Sequence, residues 1–155
     1  MTSENFQFSP YDPLVKPRSS SDALLTESIR LEEIGQRLTN LGWASGLLDG
    51  EGCFRVASRT ISIAVESTSK VTIAKLYELF KGSRGVSSRR TSAGKTVFLW
   101  RVHGHAAKKI LMQIIPYLIE KKKQAILLSR YYNYVPRSEM RETIERRVKE
   151  LKRTG

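Results

Sequence analysis

The chain has 155 residues, 40% of them hydrophobic, and a formal net charge of +12. That length suits one domain with short appendages, and no run of about 18 apolar residues is present to span a membrane. The one cysteine, Cys53, excludes an intramolecular disulfide and any multi-cysteine metal site. Met1 to Ser9 lack the basic and apolar regions of a secretory signal, so an intracellular setting is expected.

The charge is uneven along the chain. Residues 1–40 hold 4 basic and 6 acidic side chains, residues 41–136 hold 16 and 5, and residues 137–155 hold 7 and 4. The excess therefore belongs to the middle of the chain, where a compact basic module is expected to bind a polyanion, nucleic acid first among them.

Residues 1–21 read as an arm, because Pro10, Pro13, Pro17 and the Ser19-Ser20-Ser21 run break helix and offer little to bury. Asp22 is a candidate N-cap. Leu31, Ile34, Leu38 and Leu41 follow at helical spacing and predict a helix near 22–39, ended by Asn40-Leu41-Gly42. A second helix is expected over 43–50. Its residues are small and apolar, and it finishes in two acids, Asp49 and Glu51, each followed by glycine. Phe54, Val56 and then Ile61, Ile63, Val65 alternate with polar residues, which predicts two strands and a tight turn near Ser58–Thr60. Lys70 to Lys81 returns to helix, closed by Gly82 and Gly85. Val86–Thr91 and Thr96–Val102 predict a second hairpin turning at Ser92-Ala93-Gly94. Ala106–Ile115 is an amphipathic helix interrupted by Pro116, and Gln124–Tyr134 continues as helix. Ser138–Lys152 forms a last, highly charged helix with Met140, Ile144, Val148 and Leu151 as its apolar spine. The domain reading is an arm over 1–21, a domain with its leading helix over 22–136, and a charged C-terminal helix over 137–155.

The central order is α-β-β-α-β-β-α-α, and Ala44-Ser45-Gly46-Leu47-Leu48-Asp49-Gly50-Glu51-Gly52 resembles the signature of the LAGLIDADG homing endonucleases. The following Cys53-Phe54, and Pro116-Tyr117-Leu118 with Lys121 and Gln124-Ala125 downstream, are similar to the same family. The resemblance covers about residues 40–134 and implies an α+β fold of αββαββα order with a four-stranded antiparallel saddle-shaped sheet. It also implies double-stranded DNA as partner, phosphodiester hydrolysis as activity and Mg²⁺ as cofactor, with Mn²⁺ as a substitute.

The motif occurs once, so the resemblance implies a homodimer formed through the motif helix. Ala44, Ser45 and Gly46 are the expected interface, since small side chains let two backbones approach. Glu51 is the expected metal ligand and catalytic carboxylate, joined by the backbone carbonyl of Gly50. Lys121 matches the family's basic active-site position, and Ser69 lies near the position of its polar water-network residue. Asp49 is expected to support the helix end. Arg55, Arg59, Ser62, Ser88, Arg90 and Arg101 are the candidate DNA contacts on the strands.

Plainer readings stand beside these. An isolated acid before glycine is ordinarily a turn carboxylate; the nonapeptide around Glu51 reverses that reading. Lys121-Lys122-Lys123 as a run reads as a solvated face, with Lys121 singled out by the resemblance. His103-Gly104-His105 reads as a strand-to-helix turn rather than a metal pair. The alternating charges of the C-terminal helix favour packing over DNA contact, and Trp43 and Trp100 read as core. The scaffold also admits a non-cleaving DNA-binding regulator or an RNA-splicing maturase, and, more distantly, a basic RNA-binding protein. The first hairpin, confined to 52–68, is short for reading a long DNA site.

Overall fold

The computed structural model describes residues 19–153; the predicted arm lies outside these except for Ser19, Ser20 and Ser21. Contacts divide the chain between Leu38 and Thr39. Where the sequence predicts two helices, α1 runs unbroken over Ser20–Glu51. Gly42 in mid-helix costs only about 1 kcal/mol relative to alanine, and no proline follows to enforce a break. The cap is one turn earlier than expected: Ser19 Oγ accepts from the Asp22 N–H at 3.2 Å. In the segment before Thr39, Leu24, Leu31, Ile34 and Leu38 are all exposed.

From Thr39 onward the order is β1 (Cys53–Ala57), β2 (Thr60–Ser67), α2 (Lys70–Phe80), β3 (Ser83–Arg90), β4 (Thr96–His103), α3 (Gly104–Ile114), α4 (Lys122–Ser129) and α5 (Glu139–Leu151), with short 3-10 turns at Ile115–Tyr117 and Tyr131–Asn133. The four strands form one antiparallel sheet in the order β1-β2-β4-β3. The fold is therefore α+β, as expected. No helix among the described residues is long and apolar enough to cross a membrane.

Strand parity sorts the sheet's faces. Phe54, Ile61, Ile63, Val65, Trp100 and Val102 are buried in a core shared with Leu48 of α1, Ile73 and Leu76 of α2, and Leu111 of α3. Trp100 is fully buried, and its indole N–H donates to the Lys81 carbonyl at 2.7 Å, satisfying the one polar atom of the ring. Trp43 is only half-buried at the core's edge, where the Lys75 ammonium lies 4.5 Å from its ring centroid. The β1–β2 hairpin turns on Ser58 and Arg59, both at positive φ (49° and 60°). Such a two-residue turn matches strand twist, but it normally uses Asn-Gly because an L side chain in this region costs about 1–2 kcal/mol.

The C-terminal helix is part of this core. Ile144 and Val148 are buried in it. The Arg141 guanidinium lies over Tyr131 at 4.6 Å and Tyr132 at 5.4 Å, while its Nε donates to the Tyr134 carbonyl at 2.9 Å. Tyr131 donates to Glu145 at 2.7 Å; burial and that carboxylate push its hydroxyl up to about 12.

The C-terminus of α1 is pinned by Asp49. Its buried carboxylate accepts from the backbone N–H groups of Ile119 (2.8 Å), Glu120 (3.0 Å) and Lys121 (2.8 Å). Burial alone pushes the carboxyl up, but the three donors and the Lys121 charge outweigh it and hold the group below the usual carboxylate range. A carboxyl lowered on folding stabilises the protein above its unfolded value, near pH 4, and loses that contribution as pH falls through the lowered folded value. Asp49→Ala should cost about 2–4 kcal/mol by orphaning three N–H groups. Asp49→Asn should flatten the acid limb of stability against pH, read by circular dichroism; an acid limb unchanged from wild type would remove Asp49 as its source.

Candidate active site and nucleic-acid interface

Glu51 is the last residue of α1 and is exposed. The helix approaching it has two distinct sides. Ala44, Ser45, Leu48 and Asp49 are buried against their own chain. Gly42, Gly46 and Gly50 are exposed at four-residue spacing, and an added Cβ at any of them would meet nothing within 4 Å. The expected interface of Ala44, Ser45 and Gly46 is thus divided. Gly46 lies on the open side, whereas Ala44 and Ser45 are fully buried, because at about 100° per residue the helix carries residue 46 round from the buried face to the open one. The Ser45 hydroxyl is buried with no hydrogen-bond partner.

Beyond Glu51 the chain turns at once into β1. The Gly52 N–H still donates to the Leu48 carbonyl at 3.1 Å, and a side chain at Gly52 would fall on that oxygen, so only glycine fits the exit.

Lys121, at the start of α4, sends its ammonium back to the same helix end. Nζ donates to the carbonyls of Gly50 (2.8 Å), of Asp49, and, at 3.5 Å, of Leu48. The last carbonyls of a helix have no partner within it and carry its negative pole, so a cation here satisfies both hydrogen bonding and charge. Two residues named from the resemblance, the Gly50 carbonyl and Lys121, are therefore bonded to each other. Glu51 stands beside them with its carboxylate in solvent. Among the described residues no group of three or more His, Cys, Asp or Glu side chains gathers to hold a metal.

Ser69 lies past the end of β2. Its hydroxyl caps α2, accepting from the Thr72 N–H at 3.2 Å, and its own N–H donates to Ser67 Oγ at 3.1 Å. The strand itself ends at Ser67. His103 ends β4 and stands at the N-cap of α3, and His105 lies in the first turn of that helix with its ring 4.5 Å from that of Tyr132, so the segment is the expected strand-to-helix turn.

The face of the sheet opposite the core carries Arg55, Ser62, Glu66 and Arg101 by register. Arg55, Arg59 and Arg90 are exposed. Arg101 is half-buried, with Nε buried and without a partner. Ser62 departs from the expectation of an accessible contact. It is fully buried, set between Arg55 and His103 on the flanking strands, so longer neighbours shelter the short hydroxyl. Ser88 falls in β3 where the register shifts between Val86 and Arg90, and its side chain lies outside the described part. The sequence reading missed Glu66, which accepts from Ser87 Oγ at 3.1 Å on this face. Counting by twos from Ser62 would have found it.

No protein-family model and no curated protein sequence matches the chain. Solved structures do match it. The homing endonuclease I-CvuI, complexed with an I-CreI target in the presence of Mg with the DNA not cleaved, shares 19% identity at a TM-score of 0.57 over 74% of this chain and 82% of that one. I-CvuI with its own target and Ca gives 16% identity and 0.52, over 74% and 92%. The archaeal intron-encoded homing endonuclease I-Vdi141I, complexed with DNA, gives 14% and 0.60, over 77% and 86%. The chain therefore has the fold of the homing endonucleases.

Proposed function

We propose that the protein is a homodimeric, Mg²⁺-dependent, site-specific endonuclease that hydrolyses one phosphodiester on each strand of duplex DNA, across the minor groove. The observation that carries this reading is an exposed carboxylate, Glu51, at the tip of a helix whose open side is a glycine stripe, in a chain of net charge +12. An exposed acid at that place opposes binding of a polyanion unless a cation bridges the two.

Two copies meeting along Gly42, Gly46 and Gly50 would bring their Glu51 carboxylates together about a two-fold axis. Glu51 offers hard oxygens, and the Gly50 carbonyl keeps a second lone pair beside its bond to Lys121; these suit Mg²⁺ and its Mn²⁺ substitute, and one chain alone supplies too few of them. When bound, the ion supplies an activated water and charge stabilisation at the phosphate. The chain's own residues do the rest. Asp49 and Lys121 fix the helix tip so that Glu51 projects. Arg55, Arg59 and Arg90 stand exposed for phosphates and base edges, with Arg101 behind them. The DNA-bound neighbours of the same fold support the partner class.

In vitro selection of cleaved duplexes tests the activity. Glu51→Gln should lower cleavage on the order of 100-fold or more while binding persists, as expected for loss of a group acting on the reacting phosphate; equal nicking by the variant would end its metal role. Specific binding with no cut in Mg²⁺ or Mn²⁺ would instead establish the regulator or maturase reading. Gly46→Leu should yield a folded monomer by sedimentation, without double-strand cleavage; a dimer of unchanged affinity would displace the glycine stripe as the interface. Arg59→Gly should relieve turn strain of about 1 kcal/mol, raising Tm, while reducing the salt dependence of DNA binding by about one phosphate. An unchanged salt slope would take Arg59 off the DNA.

A further inference from the structure

Beside the tip of α1 lies a cleft of about 690 Å³ lined by Gly52, Cys53, Glu120, Lys121, Gln124, Leu151 and Lys152. It joins three parts of the chain that the sequence reading kept apart: the exit of the motif helix, the start of α4 and the end of the C-terminal helix. Its two ammonium groups are not equivalent. Lys121 Nζ is committed to the carbonyls of Leu48, Asp49 and Gly50, and moving it would orphan the end of α1. Lys152 is exposed, and among the described residues its ammonium donates to Cys53 Sγ at 3.4 Å, a weak acceptor. That contact places a cation two residues along the chain from Glu51.

The same cleft holds Gln124, a buried side chain whose Oε1 has no partner. A buried amide oxygen left unpaired is costly, and a water entering with the DNA backbone would satisfy it. Glu120 sets one carboxylate against the two ammonium groups, which leaves the cleft net positive. The C-terminal helix is held in place to deliver Lys152 by the buried Ile144 and Val148 and by the Arg141 stack on Tyr131.

We propose that Lys152, at the end of the C-terminal helix, is the cation of this cleft that contacts the DNA phosphodiester beside Glu51, whereas Lys121 is a positioning residue that secures the helix tip. The proposal rests on the nuclease reading for its rate consequence but not for the contact itself. A phosphate in the cleft exchanges the Lys152 bond to a thiol for a charge-assisted bond to an anion, a gain that requires no other group to be released.

Two readouts on the full-length chain test it. In single-turnover cleavage at saturating protein, Lys152→Met should lower the rate on the order of 100-fold, the effect of removing one donor to a developing anion. Its Tm should match wild type, and Lys152→Arg should recover most of the rate. Separately, duplex DNA at low salt should protect Lys152 from reductive methylation, read by mass spectrometry. A Met variant that cuts at the wild-type rate at saturation overturns the proposal, as does methylation of Lys152 that is equal with and without DNA. Protection of Lys152 in a wild-type chain that cuts no duplex would uphold the phosphate contact and sink the nuclease reading.

Discussion

Two residues from distant parts of the chain close a reciprocal clasp at the end of α1. Asp49 takes three backbone N–H groups from the turn at 119–121, and Lys121, from that same turn, gives its ammonium to the backbone carbonyls of residues 48–50. Each side chain satisfies the orphan backbone groups of the other's element, and the two opposite charges offset each other in the partly buried space between. The exit to β1 through Gly52, the direction of Glu51 and the start of α4 all depend on this contact. Through α4 and the Tyr131–Arg141 stack it extends to α5.

The clasp explains why the acids of the motif diverge in role. Asp49 is turned inward and ionised by donors that outweigh its burial. Glu51, two residues later and about 200° around the helix, faces solvent. The same rotation separates the small residues: Ala44 and Ser45 allow α1 to lie close against its own core, while Gly42, Gly46 and Gly50 leave bare backbone on the open side. One run of small residues thus presents a packed side and an open side.

On the sheet, the residues that stay accessible are the long ones. Arg55 and Arg59 rise above the sheltered Ser62. The partnered Glu66 introduces a carboxylate among these cations, where it accepts rather than donates. Arg59 sits at the hairpin tip in a turn conformation that disfavours a side chain.

Much of this was legible in the sequence, because it depends on short-range periodicity. Period-two alternation located both hairpins, helical spacing located α2, α3 and α5, and the nonapeptide placed the acid at a helix tip. The continuity of α1 through Gly42 was not legible, since one glycine without a proline leaves helix and break close in energy. Nor were the burial of Ser62 and the capping role of Ser69, which depend on neighbouring strands and on where β2 stops. The sequence by itself determined the element order, the basic charge and the identity of the carboxylates. Only the tertiary structure decided which groups face one another: that Lys121 binds the helix end, that Gly42 and Gly50 join Gly46 on the open face, and that Lys152 arrives beside Cys53. The two lysine pairings join residues 71 to 99 positions apart, and no local propensity encodes which distant groups packing will bring together.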